Sequence, residues 1–579
     1  MPEVSSTETT HSYTRTGGGA AAGRFMRRRW RALRRLGYAS PLYRWRLGGK
    51  HPLKLKATPE DLPLGSAGRG RALLRGRFEA AGYRISLDTA AAWPGLVGAP
   101  PAFVDWLHGF GWLKDLAAVD NAAPARTLAE ALVKRWIAAF AGYDRLAWSP
   151  ERAGPRIANW IIHAPLILHS GDMVYRSSVL NSLAHQARHL RRTIADTEPG
   201  TARIEALSGL VLAGLFLPGM EALATRGLKQ LERVTTGFVH ADGGTASRNV
   251  GDAVATLEAL VLLKAAMAGD EAAPVPWLQA AIDRLVPFIK SHRHGDGGLA
   301  LFQGSFAGDA ARLDAVIERS GAGGRAISTM PHTGYQRLKR RRGMAIIDIG
   351  VPPRAALSRR AHAAPLAFEF SDGPHRIVVN LGGTADGWAA QGEELSELAR
   401  STAAHSTLVV GDTNAARLRP GAVAGNGPAS TALRLDSDAG ALIEASHDGY
   451  ARRFGVIHHR RLYLNSDGSS LRGEDRLERR QGGGLSGTLA ARRRPGFDLR
   501  FHLHPDVTAS ETQDGKAVIL RLENGRGWLF RVAGGDAAIA DSLFVPTPGQ
   551  PRRTSQIVVH GTADEDDKIV KWSFNRLTG

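Results

Sequence analysis

A change of hydrophobic period near residue 326 constrains this chain more than any other feature. From about 100 to 325, apolar residues recur at three- and four-residue steps. Ala129, Leu132, Trp136, Ala139 and Phe140 form one such stripe, and Ile157, Ile161 and Leu168 mark another. That spacing belongs to helices that bury one face. It predicts helices at about 175–192, 203–216, 219–236, 252–268 and 275–290, parted by short Gly, Pro and Asp breaks. Several are apolar on more than one side, as helices packed in layers require. Beyond 326 the apolar runs shorten: Met344–Ile349, Leu366–Phe370, Arg376–Leu381, Ser406–Val410, Ala441–Ser446, Arg460–Leu464, Ala517–Leu522 and Trp528–Val532. Gly, Asp and Asn separate them at the spacing of an antiparallel sandwich. No readable short repeat runs through the chain, which argues against a solenoid. The expected fold is multidomain, α followed by β: a helical domain at 60–325 and a β domain at 326–579, with Arg479–Gly496 as a long loop.

Charge narrows the function classes once it is located. The formal net charge is +20, but residues 24–56 hold twelve basic side chains and no acid, leaving +9 for residues 57–579. Basic residues gathered in one arm, rather than interleaved with aromatics along a groove, disfavour nucleic acid as the partner. Within the arm, Phe25, Met26, Trp30, Leu33 and Leu36 fall near helical spacing. Residues 24–59 therefore read as a basic amphipathic arm, and 24–38 either contact an anionic membrane surface or stay solvated. Residues 1–23, rich in Ser, Thr and Gly, read as a disordered tail. No run approaches the ~18 apolar residues of a membrane-spanning helix. The absence of cysteine removes disulfides, thiolate nucleophiles, Cys-zinc sites and iron–sulfur clusters.

Seven short motifs, in order, resemble the heparinase II/III-like family. They are Trp106-Leu107-His108-Gly109-Phe110-Gly111-Trp112-Leu113, then Asp242-Gly243-Gly244 with Ser247-Arg248-Asn249, then Gly295-Asp296-Gly297-Gly298. His332-Thr333-Gly334-Tyr335 follows, then Ala361-His362 with Leu366-Ala367-Phe368-Glu369, Ala403-Ala404-His405-Ser406-Thr407-Leu408, and His447-Asp448-Gly449-Tyr450. The resemblance spans roughly residues 60–570. It implies an incomplete (α/α) toroid followed by an antiparallel β-sandwich, the same order that the periodicity predicts. Studied members are polysaccharide lyases of uronic-acid polymers such as heparan sulfate or alginate. The resemblance therefore implies a carbon–oxygen lyase, an acidic polysaccharide or glycosaminoglycan as partner, and work in the cell envelope or periplasm. No signal peptide is visible, which makes the cytoplasm the alternative.

β-Elimination needs a group that neutralises the uronate carboxylate, and a base and an acid within hydrogen-bond reach. The family supplies a neutralising Asn or His, a Tyr after the Asp-Gly turn and a sandwich His; some members hold zinc. Here the Tyr position falls near Gly251–Asp252, the Asn-His position reads Arg203-Ile204-Glu205-Ala206, and the catalytic His position is Arg360. The resemblance then points to Tyr335, Asn249 and His405 as catalytic substitutes. Arg203, Arg248, Arg360 and the helix face Asn159, Trp160 and His163 become candidates for substrate binding. Each has a structural alternative. Asn249 can be a helix cap, Arg248 a local ion-pair partner, and Trp160, like Trp106 and Trp112, a core residue. His362, Asn380 and His405 match the zinc positions, yet two neutral imidazoles and an amide bring no negative charge. Zinc in the sandwich is the cofactor to test, against two hydrogen-bonded histidines. Two functions remain: cleavage of an acidic polysaccharide, or glycan binding and exopolysaccharide assembly on a fold that lost the chemistry.

Overall fold

The structure, a computed structural model, describes residues 9–10, 37–38, 40–49, 52–57, 65–87, 93–268, 275–383, 393–419, 422–423, 430–479, 494–513, 517–563 and 567–577. Most of the expected tail at 1–23, residues 24–36 of the membrane-contact stretch 24–38 and the interior of the loop Arg479–Gly496 lie outside the described residues.

Helices fill the N-terminal half up to Ala310–Ser320, and strands begin at Thr329–Met330. The helices start and stop where local chemistry dictates. Asp172 accepts from the backbone N–H groups of Val174 and Tyr175 at the head of Met173–Thr193. Asp309 caps Ala310–Ser320 in the same way, and Gly321, at φ 63°, ends it in the left-handed conformation. Helix Thr201–Phe216 is buried on nearly every side and packs against Pro150–Ile162, Glu221–Phe238 and Val250–Ala268. Glycines allow the closest crossing: a Cβ on Gly209 would stand 2.2 Å from the Gly154 carbonyl oxygen, and one on Gly154 would stand 2.4 Å from the Ala206 Cα. Periodicity placed these helices to within about two residues, because burial on a helix repeats locally. It missed a hairpin, Arg77–Ala80 with Tyr83–Ser86, whose Phe78 is buried against Trp106 and Trp112.

The sandwich is antiparallel and has two large sheets. One runs Ser430–Ser437, Gly440–His447, Val456–Asn465, Ser470–Arg479, Asp567–Arg576, Gly527–Ala533, Ala517–Leu522, Val507–Glu511, with Thr9–Thr10 paired to the edge at Thr431 and Ala432. The other runs from Asp536–Phe544 through Arg552–Thr562, Gly496–Leu503, His375–Val379, Phe368–Asp372, Gly343–Asp348 and Tyr335–Arg340 to Thr329–Met330. Strand Val456–Asn465 shows the alternation of a half-buried strand, with His458 inward and His459 outward. Between the sheets, Phe368, Phe501, Trp572, Phe574 and Phe530 pack edge-on or stacked at 4.9–6.1 Å. Among the described residues no helix is long and apolar enough to cross a membrane.

Toroid and sandwich meet along a buried polar seam. Arg248 donates from Nε to the Thr333 carbonyl at 2.6 Å, from Nη1 to the Val351 carbonyl at 3.1 Å, and pairs with Asp348. Thr333 donates from N and Oγ1 to Asp242 at 2.8 and 3.0 Å. Arg376 holds Asp296 at 2.8 Å, and His294 meets Glu369 at 2.9 Å. The Asp-Gly-Gly, Gly-Asp-Gly-Gly, His-Thr-Gly-Tyr and Phe-Glu motifs are thus the stitches between the domains.

Candidate functional site

Beside the seam lies a cleft of about 790 Å³. Helix Pro101–His108 brings Asp105 and Trp106 to it, helix Pro150–Ile162 brings Arg152 and Asn159, and helix Thr201–Phe216 brings Glu205. The Gly154–Gly209 crossing sets the depth of that wall, since it brings the last two helices into backbone contact. The segment Ala356–Ala361 forms the sandwich side, and Pro548 stands at one end. There the tip of the toroid hairpin closes on the sandwich: a Cβ on Gly82 would fall 2.5 Å from the Gly549 Cα.

Most of the charged lining is paired within the cleft. Arg152 meets Asp105 at 2.8 Å, Arg359 meets Glu198 at 3.1 Å, and Arg360 pairs with Asp252. Asp252 also accepts from Ser247 Oγ at 2.6 Å. Half-buried Glu205 is pushed up to about 7, first by burial and then by Glu258, Asp252 and Asp105, with Arg360 opposing. Among the described lining residues there is no tyrosine, histidine or lysine.

Of the residues singled out from sequence, the cleft contains Asn159, Asn249 and Arg360. Asn159 donates to the Gly109 carbonyl at 2.8 Å. Asn249 takes its structural alternative: Oδ1 accepts from Asp252 N at 3.0 Å at the head of the next helix, and Nδ2 donates to the Gln303 carbonyl at 2.8 Å. The remaining expectations are corrected by burial. Tyr335 is fully enclosed, its hydroxyl donates to the Arg248 carbonyl at 2.7 Å, and burial pushes its pKa well above the usual phenol range. Arg248 stacks over that ring at 4.9 Å, with its guanidinium spent on the seam. Trp160 is core, edge-on to Phe110 and Trp136 at 5.2 and 5.6 Å. His163 is buried at the end of the same helix, and Arg203 donates to the backbone of Ala195 and Thr197. Trp106, not Trp112, is the tryptophan that reaches the cleft.

The zinc positions are also spent elsewhere. His405 Nδ1 lies 2.7 Å from the Ser401 carbonyl, so it carries the proton, and His405 Nε2 accepts from His362 Nδ1 at 2.7 Å. Asn380 donates to Glu369 at 3.2 Å and accepts from Ser406 N at 3.0 Å. Neither facing nitrogen keeps a lone pair for a metal and the amide oxygen is occupied; the buried His362 Nε2 keeps its lone pair, but one imidazole nitrogen from this set does not fit zinc. Among the described residues no other cluster of three His, Cys, Asp or Glu is placed to hold a metal. His405 therefore serves neither as a metal ligand nor as a cleft residue; burial lowers its pKa to about 4.

Comparison with known proteins agrees with this architecture. The fold superposes on heparinase III with a TM-score of 0.69 at 14% identity, covering 90% of this chain and 86% of that one. A mutant heparan sulfate lyase from Pedobacter heparinus gives 0.61 at 13%, covering 90% and 84%. These low identities speak for the fold alone. The family model "Heparinase II/III-like, C-terminal" matches residues 322–573. FtsZ-localized protein C of Caulobacter vibrioides is 32% identical over 95% of this chain and 96% of its own length.

The chain belongs to the heparinase II/III-like family. In this heparinase II/III-like chain the residues that sequence reasoning missed are the cleft acids, Glu205 above all. One signal was available: Glu205 is the sole acid in a helix that is otherwise apolar or small from Ile204 to Phe216. A charge kept in such a helix needs water, a partner or a ligand.

Proposed function

We propose that this protein binds a saccharide in its cleft without β-elimination, and that it acts at a membrane surface together with FtsZ. One observation carries the first part: the described cleft lining offers no phenol or imidazole to take the C5 proton, and three of its arginines are already matched by carboxylates. A lyase needs a base above C5 besides a cation or amide for the uronate carboxylate, and Arg145 alone among the lining arginines stands without a carboxylate partner among the described residues. The acid-polysaccharide lyase is the second reading, favoured by the lyase fold of its structural neighbours.

The second part is supported by the name of the Caulobacter relative and by helix Pro41–Leu47. Its Tyr43 and Leu47 are buried on the toroid, while Leu42 and Trp45 are 73% and 80% exposed beside Arg46. An outward tryptophan among cations, directly after the basic stretch 24–38, suits a headgroup boundary.

The test is an assay for unsaturated uronate absorbance with heparan sulfate, chondroitin sulfate, alginate and capsule glycans. Silence from folded protein is expected, and a rising absorbance with any of them would restore the lyase. A fluorescent fusion should gather where FtsZ does; a diffuse signal would remove the second part.

A further inference from the structure

The cleft's charges say which saccharides it can accept. The lining holds five carboxylates, Asp105, Glu151, Glu198, Glu205 and Asp252, against four arginines, Arg145, Arg152, Arg359 and Arg360. Three of those arginines are already held by carboxylates, so beyond exposed Arg145 an anionic chain would have to draw an arginine away from its partner, leaving that carboxylate beside the incoming charge. Trp106, half-buried in the same wall, offers a ring edge or face for a pyranose. Ion-paired carboxylates and guanidiniums in turn are strong acceptors and donors for hydroxyl groups.

We infer that the cleft takes an uncharged saccharide chain, built of neutral or N-acetylated sugars, and excludes uronate and sulfated polymers. The inference rests on the reading that the cleft binds saccharide at all, and it names the ligand class. Glu205 reports the same field from inside. Burial first, and then the carboxylates of Glu258, Asp252 and Asp105, hold its proton up to about 7 even with Arg360 nearby, so the wall gains negative charge only as that proton leaves. The cleft becomes less hostile to anions as that proton is taken up.

Binding calorimetry on the full chain separates the outcomes. The probes are N-acetylglucosamine and cellulose hexamers against alginate and heparan sulfate hexamers. The neutral hexamers should bind at least tenfold tighter, and Trp106→Ala or the milder Trp106→Phe should weaken them. Residual binding of the acidic hexamers should strengthen several-fold from pH 8 to pH 6, and Glu205→Gln should abolish that pH dependence while keeping the fold by circular dichroism. Tighter binding of the acidic hexamers, or pH-independent binding in the wild type, overturns the inference and leaves the saccharide reading standing. Failure of all four probes to bind removes both.

Discussion

Two arginine–aspartate pairs in this protein have the same chemistry and opposite settings. Arg248–Asp348 is sealed in the seam, with side chains 6% and 1% exposed, and Arg248 also serves two carbonyls and the Tyr335 ring. Arg360–Asp252 lies in the cleft, with Arg360 40% exposed. The first pair is anchored by Arg248 of a readable motif and holds two domains together. The second joins two positions where the family's catalytic residues are replaced, and it faces a ligand-sized space. A motif that marks a family can therefore mark its assembly rather than its chemistry, because docking two domains requires specific side chains at fixed places along both surfaces.

Acid is the largest lever on that contrast. Burial lowers His292 and His405 to about 4, so both are neutral when folded and protonate near 6.5 when unfolded. A folded pKa below the unfolded one makes the unfolded chain bind more protons. Stability is then full above about 6.5 and lost as pH falls towards 4, on the order of 2 kcal/mol per such histidine by pH 5. Melting followed from pH 7.5 to pH 5 should show a steep fall; a flat profile would mean these imidazoles are not enclosed.

Mutation of the two arginines comes next in size. Arg248→Ala leaves Asp348 buried with Gln303 and Gly350 N as its remaining donors, and should cost about 3–5 kcal/mol. Arg360→Ala removes a solvent-touched pair and should cost about 1 kcal/mol or less. Urea denaturation compares them directly, and equal losses would erase the distinction between seam and cleft. The smaller test concerns the family's zinc positions. Asn380→Asp sets a second carboxylate 3.2 Å from Glu369 and should cost about 2 kcal/mol. A chelator should leave the melting temperature of the unmodified protein where it was. A drop on chelation would show that metal, not the His362–His405 hydrogen bond, holds this part of the sandwich.

Legibility followed the range of the interaction. The stripes around Trp136 and Ile157 and the alternation in Val456–Asn465 depend on neighbours within a few residues, so helices and strands could be read with their ends nearly right. Thr333 and Glu369 were visible only as motif members, and Tyr335 was read as a catalytic substitute although its hydroxyl is spent in the seam. Whether a tyrosine hydroxyl meets solvent or the Arg248 carbonyl is decided by a partner 87 positions away. Glu205 was passed over because its company arrives from three separate stretches, those of Asp105, of Asp252 with Glu258, and of Arg360.

By itself, the sequence determined the helical half, the strand half, their order and the family, because period and motif are properties of neighbouring residues. Only the tertiary structure decided which polar groups were sealed between the domains and which were left facing the cleft. That outcome turns on how far each helix is rotated and how closely it approaches the next. Here both are set by backbone contact at Gly154 and Gly209 and by the grip of Arg248 across the seam.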